Sequence, residues 1–398
     1  MSSRIPSELL FDMVDRTVES TQKLYYIRPK SGNGTFTSQN GAPASLRFEL
    51  PRILSADLKQ SYASYSVSVV DAGGAANRQL SGGGSIVRGE RVLINGREEE
   101  NLERVNQYRQ LIADMECDDA KLNSNWEEGF GTNAELQTRA ATSNSLNDSH
   151  VYSPSCGLFN QEKILPLYAM GGAIEVEFDF ASTNEACTAS AGSVYYSVVD
   201  FKLAIETHQL SQAYTSQVLK ALESTGFDIL MTSYKWSSYI LNSTYNAPRI
   251  NLKKRSVKGL LCSIQASTNL NNLAQNWEYI PDNLSSIRLN VGGELYPSHD
   301  LPFGAETKKE LGKLMGNIGM LGEASQLTRA NYGVDKAIFG LNTEHFLAQK
   351  FMTGMDWSIQ DALLELNHTV APANSQLNMY VFYDVRLNFK MGSIMSIQ

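Results

Sequence analysis

Two short motifs occur twice in this chain, half a chain apart. Arg91-Val92-Leu93-Ile94-Asn95-Gly96-Arg97-Glu98 reads as a strand that breaks at a glycine turn and resumes with an acid, and Ile287-Arg288-Leu289-Asn290-Val291-Gly292-Gly293-Glu294 reads the same way. Asp200-Phe201-Lys202-Leu203-Ala204-Ile205-Glu206 and Asp384-Val385-Arg386-Leu387-Asn388-Phe389-Lys390 share an acid followed by alternating apolar and basic residues, each behind a Tyr/Val-rich run. Repetition in the same order restricts the fold to two similar β-modules in tandem. In a chain of 398 residues each module has roughly 190 residues, enough to bury a core without disulfides or metals.

The rest of the pattern fills in these modules. Ala173 to Phe180 alternates apolar and acidic residues, as a half-buried antiparallel strand with one wet face does. Further β-prone runs fall at 23–27, 45–50, 62–70, 86–94, 165–170 and 195–205, then at 235–241, 248–252, 259–265, 286–291, 341–355, 359–364 and 377–390. Many short strands with long excursions point to sandwiches rather than a parallel α/β sheet. Val105, Tyr108, Leu111, Ile112 and Met115 recur at helical spacing and predict a sheet-covering helix from about Asn101. A second helical stretch is expected over 306–314. Ile5, Leu9 and Met13 trace an amphipathic helix behind Pro6, which suits a first turn. The predicted organisation is an N-terminal amphipathic arm (1–20), a first module (21–225) with a long loop at 118–154 and a linker helix at 209–225, and a second module (226–398).

Charge and composition exclude several functions. A net charge of −8 disfavours phosphate neutralisation as the main task. The one basic cluster, Lys253, Lys254, Arg255 and Lys258, reads first as a solvated or inter-subunit strand end, and second as a nuclear-import or phosphate-facing patch. Charged residues make up 19% of the chain, a low share that suits surfaces meeting other subunits. Cys117, Cys156, Cys187 and Cys262 lack C-x-x-C spacing and nearby histidines, so a zinc site or disulfide framework is not expected and a reducing compartment is. No run approaches the ~18 apolar residues of a membrane span, and Glu8, Asp12, Asp15 and Glu19 are foreign to a secretory signal. Sequons at Asn33, Asn147, Asn242, Asn283 and Asn367 carry no expectation of glycosylation without such a signal.

Nothing assembles into a catalytic motif. Gly73-Gly74 and Gly82-Gly83-Gly84 lack the G-K-[ST] and following helix of a phosphate loop. His150, His208, His299, His345 and His368 form no H-x-x-x-H pair, and His299-Asp300 reads as loop. Glu98-Glu99-Glu100 and Asp118-Asp119 read as helix-start caps. Tyr25, Tyr26, Tyr195, Tyr196, Tyr380, Phe382 and Tyr383 are claimed first by core and cross-strand packing, with a sugar platform as the alternative. No catalytic, cofactor-binding or metal-binding residue is assigned, and no enzyme activity is expected.

In order and coverage the chain resembles the double jelly-roll major capsid proteins of icosahedral DNA viruses, a lineage of tectivirus-like phages, polinton-like viruses, virophages and nucleocytoplasmic large DNA viruses. Ser85 to Glu98 running into Leu102 to Leu111 is similar to the family's strand, asparagine-glycine turn and helix. Val199 to Glu206 with Ser237 to Ile240 resembles the crossing between the rolls. Ile250 to Gln265 resembles early strands of the second roll, and Tyr383 to Ser393 the last strand. The Lys253-Lys254-Arg255 triplet departs from the apolar or His-Pro-containing segment of some relatives. The resemblance implies an all-β fold with short helices: two tandem antiparallel eight-stranded jelly rolls joined by a linker helix. It also implies a structural major capsid protein whose homotrimers form pseudo-hexameric capsomers tiling a virion shell. Implied partners are neighbouring capsomers, penton and minor capsid proteins, and an internal membrane or minor proteins at the N-terminal helix. Sequence-specific nucleic-acid binding and cofactors are not implied, and synthesis is expected in the host cytosol. The competing readings are a minor virion protein such as a penton or spike, and a β-sandwich carbohydrate-binding protein or glycoside hydrolase.

Overall fold

The computed structural model describes residues 21–397 except 53–54, 72–77, 133–147, 162, 171, 190–192, 210–211, 225, 271, 274–277, 320–326, 345–351 and 391–392. The arm expected over 1–20 therefore lies outside the described residues.

The first module is built from β1 (Thr21–Ile27), β2 (Leu46–Glu49), β3 (Ser55–Asp71), β4 (Val87–Ile94), β5 (Arg97–Glu103), β6 (Asp148–Tyr152), β7 (Ile174–Phe180) and β8 (Val194–Gln209). They pair antiparallel in two sheets of order β1-β8-β3-β6 and β2-β7-β4-β5. The second module has β9 (Phe227–Leu241), β10 (Tyr245–Asn246), β11 (Arg249–Ile250), β12 (Val257–Gln265), β13 (Leu284–Val291), β14 (Glu294–Pro302), β15 (Ile338–Asn342), β16 (Ala362–His368) and β17 (Ser375–Lys390), with β18 (Ser393–Ile397) added on β17. Its sheets run β9-β17-β12-β15 and β10-β16-β13-β14, with β11 also on β16. If β10 and β11 are one interrupted strand, the two orders are identical, first-eighth-third-sixth and second-seventh-fourth-fifth, which is the jelly-roll arrangement of two Greek keys. Helix α1 (Val105–Glu116) follows β5, α2 (Asp119–Ser124) follows it, α3 (Gln212–Ser224) connects the modules, and α4 (Ala305–Asn317) follows β14 as α1 follows β5.

The repeated motifs occupy equivalent places. Each glycine motif is the hairpin between the fourth and fifth strands. Ile94 pairs with Arg97 across Asn95-Gly96, and Val291 with Glu294 across Gly292-Gly293. All four turn residues have positive φ: 55°, 77°, 60° and 94°. This is what a two-residue type I′ turn requires, and what Asn and Gly tolerate. The second motif pair lies in the last strand of each roll. Phe201, Leu203 and Ile205 are buried in the first roll, and Val385, Leu387 and Phe389 in the second.

Several expectations are corrected. The 118–154 stretch expected as loop contains α2 and strand β6, whose Tyr152 is fully buried. Residues 97–103 form strand β5, not the start of a helix, and α1 begins only at Val105. The outer face of β7 is not wet, because Glu175 and Glu177 are covered by basic side chains of flanking strands. Arg47 Nε donates to Glu177 at 2.8 Å from β2, and Arg91 Nη1 lies 3.3 Å from Glu177 on β4. Both are directly opposite Glu177 in register, where cross-strand ion pairs form.

Candidate assembly interface and the seam between the rolls

The two rolls share one continuous apolar core, and α1, β5 and the turn Gly157–Asn160 all join them. Its Tyr108 ring lies 4.6 Å from Tyr234 on β9, and 5.7 and 5.9 Å from Tyr380 and Phe382 on β17. The predicted sheet-covering helix therefore covers a sheet of the other roll. Tyr234 Oη donates to the Glu103 carbonyl at 3.3 Å, and Arg104 lies 5.4 Å over the Trp236 ring. At the far end of α1, Lys336 Nζ pairs with Asp114 at 2.8 Å. The short helical turn Gly157–Asn160 also sits on β9. A Cβ at Gly157 would stand 3.0 Å from Met231 Cβ and from the Thr232 carbonyl oxygen.

Two buried carboxylates lie at this seam. Glu90 on β4 accepts from the Ser155 and Cys156 amides at 2.9 and 2.8 Å and from the Tyr152 hydroxyl. Glu100 on β5 accepts from the Gly157 amide at 2.9 Å and from Ser233 Oγ at 2.7 Å. Burial pushes Glu90 up from its ordinary value, against the pull of these donors. Glu100 is pushed up to about 7 by burial, with the Glu90 charge adding to the effect and the Gly157 and Ser233 donors opposing it. The Glu98-Glu99-Glu100 cluster is thus not a helix cap, because Glu100 binds the second roll from within a strand. Asp118 does cap, accepting from the Lys121 amide at 2.8 Å at the start of α2.

One flank of the molecule is open. Strand β1 pairs only with β8 among the described residues, and its Leu24, Tyr25 and Tyr26 are 37, 40 and 57% exposed. An edge strand carrying exposed apolar side chains is a template for association.

No protein-family model matches the sequence, and no curated protein matches it. Its structure is similar to the PBCV-1 virus capsid, with a TM-score of 0.65 at 13% identity, covering 96% of this chain and 98% of that one. It is also similar to the Faustovirus major capsid protein (TM-score 0.63, 7% identity, 98% and 92% covered) and to the Sputnik virophage (0.57, 11%, 100% and 93%). The chain has the double jelly-roll capsid-protein fold.

Within this double jelly roll the remaining sequence candidates have structural places. Gly82, Gly83 and Gly84 let the chain press on Gln110, Phe130 and Tyr152, where any Cβ would collide at 2.3–2.6 Å. Asp300 pairs with Arg288 at 2.9 Å, and His368 Nδ1 lies 2.9 Å from the Asp282 carbonyl oxygen. His150 packs on Tyr65 at 5.9 Å, whereas His345 lies outside the described residues. All four cysteines are buried and none forms a disulfide, and burial pushes the Cys187 thiol up to about 12. The basic cluster splits. Lys258 is buried, 3.5 Å from buried Asp384, so it is not part of a solvated patch. Lys253 pairs with Asp361 at 2.9 Å. Lys254 lies 4.9 Å over the Tyr383 ring, and partial burial, then the Lys235 charge, lowers it to about 8 while Glu99 opposes. No helix among the described residues is long and apolar enough to cross a membrane.

Proposed function

We propose that this chain is a structural major capsid protein, three copies of which pack into a pseudo-hexagonal capsomer of an icosahedral virion. The observation that carries this reading is the duplication. One strand order is used twice and fused through a shared core, so a threefold assembly presents six similar rolls, and closed symmetry of that kind supports tiling. The likeness to viral capsid folds over nearly the whole chain supports it, as does the open apolar edge of β1. On this reading the chain divides near residue 225, has no catalytic residues and needs no cofactor. Its work is burial of subunit surface, which in obligate assemblies is large and apolar. Neighbouring capsomers, pentons and minor capsid proteins are its partners, with residues 1–20 facing inward toward minor proteins or a membrane. It resides in the virion after synthesis in the host cytosol and does not read nucleic-acid sequence. Size-exclusion chromatography with light scattering tests this. Three times the 44.0 kDa chain mass is expected at micromolar concentration, and a monomer there overturns the reading.

A further inference from the structure

One sheet of each roll has a strand edge at one side and a helix at the other. In the first roll that sheet runs from β1 to β6, and in the second from β9 to β15. Arg109 of α1 lies 4.7 Å over the Tyr152 ring of β6. Leu311 and Leu314 of α4 pack on β15, where a Cβ at Gly340 would stand 3.2 and 2.9 Å from them. Each helix thus sits on the last strand of its own sheet.

The seam inside the chain joins such a helix to the next strand edge. From its place on β6, α1 presents Tyr108 to Tyr234 of β9, the first strand of the second sheet. Covered from both rolls, α1 has no exposed residue. Helix α4 follows its roll's fifth strand as α1 does, and it buries Leu311 and Met315 where α1 buries Leu111 and Met115. Its outward face is bare, with Glu306, Lys309, Gly312, Lys313 and Gly316 exposed. Strand β1, the counterpart of β9, is bare as well, with Leu24 and Tyr26 exposed. One copy therefore carries both halves of a second joint of the same kind, unmade.

We propose that β1 of one copy docks on the outward face of α4 of the next, as β9 docks on α1 within the chain. The occupant is a second copy because the internal seam already joins these two kinds of surface. The contact is heterologous, the kind that closes rings when its rotation allows. Three such contacts alternating with three internal seams close six rolls into one ring. The helix surface is open to approach, since a Cβ at Gly312 or Gly316 would meet nothing within 4 Å. This pairing rests on the trimeric reading above and adds to it which surfaces meet.

Photo-cross-linking of the full chain tests the pairing. With p-benzoylphenylalanine in place of Tyr26, irradiation should give a covalent dimer on a denaturing gel, its adduct mapped by mass spectrometry to residues 305–317. Adducts to β1 of another copy or to residues 1–20 overturn the proposal. A second arm places bulk on the helix with Gly312→Arg and Gly316→Arg together. Arginine favours a helix over glycine, so the circular dichroism of the parent is kept, while trimer formation weakens about tenfold or more by light scattering. A folded double variant that trimerises like the parent overturns the proposal. A trimeric parent with adducts elsewhere refutes the pairing alone, whereas a monomeric parent refutes the trimeric reading and the pairing with it.

Discussion

Replacing Glu100 with glutamine should remove a pH dependence from the stability of the seam. The carboxyl lies between the rolls, held by the Gly157 amide and Ser233 Oγ, and burial raises it from 4.5 to about 7. The folded state therefore binds this proton more tightly than the unfolded state does. Its contribution to stability is fully present below pH 4.5 and is lost as pH rises through 7. At about 1.4 kcal/mol for each pH unit of that interval, the loss comes to about 3 kcal/mol. Glutamine keeps the acceptor for Gly157 and cannot ionise. Glu90 and Asp114 are also buried and raised, but they titrate in both proteins, so the difference between the two isolates Glu100 and its coupling to Glu90. Denaturant unfolding at a fixed protein concentration, repeated from pH 4.5 to above 7, measures it. The parent should lose about 3 kcal/mol relative to Glu100→Gln across that range. Parallel stability curves would refute the reasoning.

Other perturbations probe the seam and the edge. Tyr108→Ala empties the ring cluster between α1 and the second roll and should cost about 3–5 kcal/mol by denaturant midpoint. Gly157→Ala drives a Cβ against Met231 and the Thr232 carbonyl, and a backbone oxygen yields poorly, so a loss of about 1–3 kcal/mol is expected in the same assay. Leu24→Asp with Tyr26→Asp charges the open edge of β1 at exposed positions. It should leave the melting temperature of the isolated chain nearly unchanged while shifting light-scattering mass from trimer toward monomer.

The duplicated plan was legible because its signals are local. Asn95-Gly96 and Gly292-Gly293 declare their turns through the φ > 0 each position demands, and the runs from Asp200 to Leu203 and from Asp384 to Lys390 alternate polar and apolar residues. What was illegible depends on distant partners. Glu98 to Glu100 look like a helix cap until β9 supplies Ser233, 133 positions away in sequence, to bind Glu100. Strand β6 is short and polar, and only its burial against the first roll makes Tyr152 a core residue. Lys258 reads as part of a basic surface cluster, yet β12 is buried along its whole length, and a bulge between Val257 and Gly259 leaves Lys258 as the extra residue, 3.5 Å from Asp384.

Electron cryo-microscopy of the purified chain tests the central claim most directly. Threefold-symmetric particles with six similar lobes, two from each copy, are predicted. Two-lobed monomers at the same concentration, or assemblies without threefold symmetry, would contradict the account.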